Sequence, residues 1–172
     1  MAYVDIDAGH RFRRNITEGE AYMTTNKHVL TWVSEMEAMV KPDKVVWIDG
    51  SEAQLEELRR EAMSTGELEK LNEEKLPGCY LHRSVPNDVA RVEGRTFICS
   101  RDKGDAGPTN NWMAPAEAYE KLGKLFDGAM KGRTMYVIPY IMGHKGSPFG
   151  KAGVELTDSI YVVVSMAIMT RV

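Results

Sequence analysis

Apolar residues recur at three- and four-residue steps through Val29, Trp32, Val33, Met36, Met39 and Val40, the spacing of an amphipathic helix. Thr24, Thr25 and Asn26 offer capping groups ahead of it, and Pro42 stops it. Lys44 to Ile48 then reads as a short buried strand. Asp49, Gly50 and Ser51 turn the chain into a second helix through Glu52, Leu55 and Leu58, with Ser51 and Gln54 spaced as a capping box, and Gly66 ends it.

Pro77-Gly78 marks a turn before a predicted strand from Cys79 to His82. A polar connector, Arg83 to Arg95, leads to a strand from Thr96 to Ser100. The Gly, Pro and Asn content of Arg101 to Met113 predicts no regular structure there. Pro115, at a first helical position, opens a helix through Tyr119, Leu122, Leu125 and Phe126, closed by Gly128 or Gly132.

The last forty or so residues read as sheet, with strands at Arg133 to Ile141, Val154 to Leu156 and Ile160 to Met169. In the last of these, Ile160, Val162, Val164, Met166 and Ile168 alternate with Tyr161, Val163 and Met169, so both faces are apolar and both need cover. No helix follows before Val172. A covering layer is therefore expected to be missing, leaving an apolar face and a free edge that favour self-association. Residues 1–23 show no period and are expected to be an irregular arm, with 24–172 forming a partial domain. The pattern as a whole predicts an α/β fold, a mixed sheet with flanking helices.

Composition narrows the class of function. A chain of 172 residues that is 43% hydrophobic can bury a core of its own. The formal net charge of -3 and pI near 5.8 argue against phosphate-driven nucleic-acid binding. The apolar run at Ile160 is too short to cross a bilayer, and no apolar segment follows the early arginines as a signal peptide requires, so a cytoplasmic location is expected. Cys79 and Cys99 have neither metal-ligand nor disulfide-framework spacing and read as buried reduced thiols.

Three stretches have the residues to meet an anion. Arg83 to Thr96 carries three arginines, Arg83, Arg91 and Arg95, on one connector, where planar guanidinium forks can hold a carboxylate or phosphate, or simply pair with Asp88 and Glu93. Gly128 to Pro139 is a basic, glycine-rich turn running into a strand, which equally suits an anion or a helix stop. Gly143 to Lys151 looks like a phosphate loop but does not meet the GxxxxGK[ST] spacing, and reads as a solvated hairpin connection. His10, His28, His82 and His144 fall in separate segments; His82 alone sits at a strand end beside the arginine connector.

Pro86-Asn87-Asp88-Val89-Ala90-Arg91-Val92-Glu93 closely resembles the substrate-binding loop of GTP-dependent phosphoenolpyruvate carboxykinases. The resemblance continues in the same order through Trp47 to Glu52, Ala106 to Trp112, Met130 to Pro139 and Gly153 to Ser159. It implies the amino-terminal, substrate-binding domain of that fold, truncated. Such enzymes convert oxaloacetate and GTP to phosphoenolpyruvate, GDP and CO2 in gluconeogenesis, with Mn2+ at the active site and Mg2+ on the nucleotide. By the resemblance, Arg91 grips the carboxylate of oxaloacetate or the carboxylate and phosphate of phosphoenolpyruvate, and Glu93 meets the closing lid.

The resemblance places the phosphate loop, the metal ligands and the lid in a carboxy-terminal nucleotide domain beyond this chain. No cofactor site, metal site or catalytic residue is therefore expected in the chain alone, and no turnover by it, because phosphoryl transfer needs positioned phosphate, metal and nucleotide together. Val85, Ala114, Ala129 and Ile160 depart from the family pattern of aspartate, aspartate, cysteine and proline. These departures leave a second expectation open: a stand-alone, non-catalytic binding or regulatory module built on the same domain.

Overall fold

The computed structural model describes residues 24–86, 88, 92–170 and 172. The expected arm over 1–23 lies outside the described residues, as does Arg91.

Helix α1 spans Lys27–Val40, capped where Asn26 accepts the His28 N–H at 3.0 Å. It ends as Lys41 turns left-handed at φ 54° just before Pro42. Strand β1 is Lys44–Trp47. In α2, Glu52–Thr65, Ser51 Oγ accepts from Gln54 N, but the return half of the capping box goes elsewhere: Gln54 Oε1 accepts from Asp49 N at 2.8 Å. Ser51 N instead donates to the Asp49 carboxylate, which holds that carboxyl below its ordinary pKa. Short strands β2 (Glu69–Lys70) and β3 (Tyr80–Leu81) pair antiparallel.

Two further two-residue strands, β4 (Phe97–Ile98) and β5 (Asn111–Trp112), pair in parallel, and a 3-10 turn covers Lys103–Ala106. The stretch Arg101 to Met113 thus holds local order that its composition hid. Side chains supply it: Asn110 Nδ2 donates to the Ala106 carbonyl at 2.7 Å and Trp112 Nε1 to the Ser100 carbonyl at 3.0 Å. Helix α3, Pro115–Phe126, starts on Pro at its first turn but lacks a side-chain cap, since Ala114 occupies the capping position.

Strands β6 (Thr134–Met142) and β7 (Lys151–Thr157) form an antiparallel pair, and β1 adds in parallel to the other side of β6. The mixed sheet therefore has the order β1-β6-β7. Pro139 sits in the central strand without breaking the ladder. Val137 accepts from Ile48 N, so Pro139, two residues on, presents its missing donor past the end of β1. Gly153 in β7 lies opposite Tyr140, whose ring occupies the space a Cβ would need, with 2.7 Å between that position and Cζ.

The segment expected to be the final strand is instead helix α4, Ile160–Met169. Ile160, Val163 and Val164, at helical spacing, are its buried residues, and they join Ile48, Leu55, Leu58, Ala62, Leu68, Tyr136 and Ile138 in one core. The other face of the sheet, with Met135 and Val137, packs against Val33 and Val40 of α1. The central sheet is thus covered on both faces, by α2 and α4 on one side and α1 on the other. The expected missing layer, and the bare sheet that was to drive self-association, lose their premise. Exposed apolar side chains lie elsewhere, among them Tyr119, Leu122, Leu125 and Phe126 on α3, Ile168 and Met169 at the end of α4, and Phe149 between β6 and β7. Cys79 and Cys99 are also exposed rather than buried, since each lies beside a two-residue strand pair outside the layered core.

Candidate functional site

The arginine connector leaves β3 at His82 and rejoins the structure at a 3-10 turn over Glu93–Arg95. Both ends are tied to neighbouring elements. At the entry, His82 Nδ1 lies 2.8 Å from the Glu67 carbonyl, which fixes the proton on Nδ1, and the imidazole stacks on Tyr161 with 4.1 Å between ring centroids and 11° between planes. At the exit, the side-chain amide of Asn111 donates to the carbonyls of Glu93 and Thr96, at 2.9 and 3.2 Å. Thr96 Oγ1 also donates to the Val92 carbonyl at 2.7 Å.

Between those anchors, Asp88 N donates to the Val85 carbonyl at 2.9 Å, closing a turn around Pro86. Arg83, Asp88, Glu93 and Arg95 are exposed and form no ion pairs with one another. The alternative in which Arg83 and Arg95 staple the connector through Asp88 and Glu93 is therefore not how its described residues are held. Backbone carbonyls gripped by Asn111 and His82 do that instead. Glu93 keeps its carboxylate free toward solvent at the start of the 3-10 turn.

The second basic stretch is committed to structure. Gly128 N and Met130 N donate to the carbonyls of Met39 and Val40, Gly132 N donates to Asp43 Oδ1, and the Arg133 guanidinium pairs with Asp158 and the Ala129 carbonyl. These bonds join the end of α3 to the end of α1 and set the entry to β6, which is the helix-stop alternative. Gly143 to Gly150 forms the solvated connection between β6 and β7, with Gly143 and Gly146 at φ 90° and 83°.

Glu67 closes the group around His82. Its carboxylate accepts from Ser159 Oγ at 2.6 Å and from Tyr161 N at 2.9 Å, so it caps α4 from a distant part of the chain where Ser159 itself makes no cap bond. Glu67, Asn111 and Tyr161 were not singled out from the sequence. Asn111 lay inside the stretch expected to be irregular, and Glu67 and Tyr161 carried no signal while Ile160 to Met169 read as sheet. Among the described residues no three His, Cys, Asp or Glu side chains converge as metal ligands. Among the same residues no helix is long and apolar enough to cross a membrane.

Residues 31–172 match the family model described as the phosphoenolpyruvate carboxykinase N-terminal domain. The chain is 56% identical over 155 residues to a phosphoenolpyruvate carboxykinase [GTP] of Anaeromyxobacter dehalogenans, covering 90% of this chain and 26% of that protein. Proteins of the same description are similar in Paenarthrobacter aurescens, 53% identical over 149 residues, and in Corynebacterium glutamicum, 52% identical over 154 residues. These matches cover 87% and 90% of this chain and 24% and 25% of the relatives. The chain thus spans about a quarter of the length of the curated relatives it matches.

Proposed function

Because the chain belongs to the phosphoenolpyruvate carboxykinase family, as its amino-terminal domain, we propose that it supplies the substrate-gripping connector of a GTP-dependent enzyme interconverting oxaloacetate and phosphoenolpyruvate. The observation that carries this reading is the match running through residues 31–172, which includes the whole connector from Arg83 to Arg95.

In this reading Arg91 holds the oxyacid. A guanidinium presents two parallel N–H donors to a carboxylate or phosphate, and it remains charged at any pH at which the enzyme works. Glu93, two residues on, is an exposed acid available to a lid that closes over bound substrate. The anchors described above would hold the connector's ends while its middle meets the ligand. GTP, Mn2+ and Mg2+ belong in this proposal to the remaining polypeptide of the enzyme, where they supply the phosphoryl group and neutralise its charge. The partners are accordingly a small dicarboxylate or phosphoenolpyruvate at Arg91 and the carboxy-terminal nucleotide domain, in the cytoplasm.

Calorimetric titration of oxalate and phosphoenolpyruvate into the chain and into Arg91→Ala tests the reading. Binding by the wild type that is lost in the variant supports it; equal affinity in both refutes the assignment of Arg91. A spectrophotometric assay is expected to find no GTP-dependent consumption of oxaloacetate by the purified chain alone, and turnover in that assay would contradict the division of labour proposed.

A further inference from the structure

We infer that His82 and Tyr161 form a positioning clamp that sets the direction in which the arginine connector leaves the core. The inference rests on the proposed role of that connector in oxyacid binding. In it, His82 and Tyr161 act through the backbone they hold and not by touching the ligand.

The geometry is specific about what is being held. His82 is the first residue after β3, a strand of two residues that cannot by itself aim the chain that follows it. The imidazole makes two contacts at right angles in character. Its Nδ1–H meets the Glu67 carbonyl, tying it to the segment just before β2, while its face lies flat on Tyr161. Tyr161 is itself fixed in the first turn of α4, through its N–H on the Glu67 carboxylate. Glu67 therefore receives His82 on its carbonyl and α4 on its side chain, and the two rings close the triangle.

The layered core continues from there, since Ile160 and Val163 on either side of Tyr161 are buried against the sheet. The connector is thus referenced to the core at its entry by one ring pair, and at its exit by the Asn111 amide. Tyr161 is 41% exposed, so the ring pair sits at the edge of the core, where its parallel stacking fixes the orientation of the imidazole. Loss of the clamp lets the entry sample other directions, and an oxyacid then binds only the fraction of molecules whose connector is correctly aimed.

The test uses the full chain with oxalate as probe, in His82→Ala, His82→Asn, Tyr161→Ala, Tyr161→Phe and Arg91→Ala, alongside limited trypsin cleavage of residues 83–95. Tyr161→Phe keeps the stack and is expected to match the wild type. His82→Ala and Tyr161→Ala are expected to weaken oxalate about tenfold and to speed cleavage by a similar factor, with His82→Asn, which keeps the donor but loses the stack, between them and the wild type. Thermal midpoints measured on the same samples separate positioning from unfolding: the affinity loss must persist well below the midpoint of each variant. If Arg91→Ala abolishes binding while His82→Ala and Tyr161→Ala leave affinity unchanged, the clamp is overturned and the connector's role stands. If Arg91→Ala binds as the wild type does, the connector's role fails, and the cleavage rates alone then decide the clamp: rates equal to wild type in both alanine variants overturn it.

Discussion

Replacing Glu67 by alanine removes the cap of α4 without touching α4 itself. The carboxylate takes two donors at the helix start, Ser159 Oγ at 2.6 Å and Tyr161 N at 2.9 Å, and it is only partly exposed. Loss of an N-cap side chain costs about 1 kcal/mol, and the favourable placement of a negative charge at a helix N-terminus adds about 0.3–1 kcal/mol. The expected destabilisation is therefore about 2 kcal/mol, which for a chain of this size lowers the thermal midpoint by about 4–8 °C. Glu67→Gln keeps an acceptor and loses the charge, and should cost about half as much. Urea denaturation followed by far-ultraviolet circular dichroism measures both. The double variant Glu67→Ala/Ser159→Ala should be less destabilised than the sum of the single changes, by about 0.5–1.5 kcal/mol, because the two side chains share one bond. A Glu67→Ala cost below about 0.5 kcal/mol, or strict additivity with Ser159→Ala, would refute the assignment of Glu67 as the cap.

Three other outcomes follow from particular contacts. Burial pushes the Tyr136 phenol up to about 12, so between the ordinary tyrosine value and that point the unfolded chain releases a proton the native one keeps; stability should fall there by at most about 1.4 kcal/mol per pH unit, and ultraviolet titration should show one phenol ionising last. Gly153→Ala places a Cβ 2.7 Å from the Tyr140 ring and should destabilise by about 1–3 kcal/mol in urea denaturation, a cost that Tyr140→Leu should partly relieve in the double variant. On α3, Leu125 is 69% exposed beside Leu122 and Phe126, so any concentration-dependent association seen by light scattering should fall in Leu125→Glu; association unchanged by that substitution would place the contact elsewhere.

Much of the fold was legible because period and punctuation agreed. In α1 and α2 the apolar spacing, Asn26, Ser51, Pro42 and Gly66 all pointed to the same boundaries. Ile160 to Met169 was not legible, because a run apolar at every position but Ser165 satisfies the strand and helix periods alike and Val162-Val163-Val164 favours strand by propensity. Packing decided it: Ile160, Val163 and Val164 fall on one helical stripe against α2 and β6, and Glu67 supplies the cap. Ser159 at the capping position was the available hint, but its hydroxyl turns to Glu67 and leaves the cap to that distant carboxylate. The connector stood out in the sequence and its supports did not. The family resemblance is what pointed to Arg91 and Glu93, whose roles are proposals, whereas Glu67, Asn111 and Tyr161 make contacts between residues far apart in sequence.

The proposed role of Arg91 is to hold an oxyacid at the connector through its guanidinium. Its most direct test is a titration of phosphoenolpyruvate into nitrogen-15-labelled chain, followed by nuclear magnetic resonance. Saturable shifts of the Arg91 Nε–H signal and of the Val92 and Glu93 amides are predicted, with the amides of Gly143 to Gly150 unmoved. Saturable shifts confined to that glycine-rich hairpin, or none at Arg91, would contradict the account.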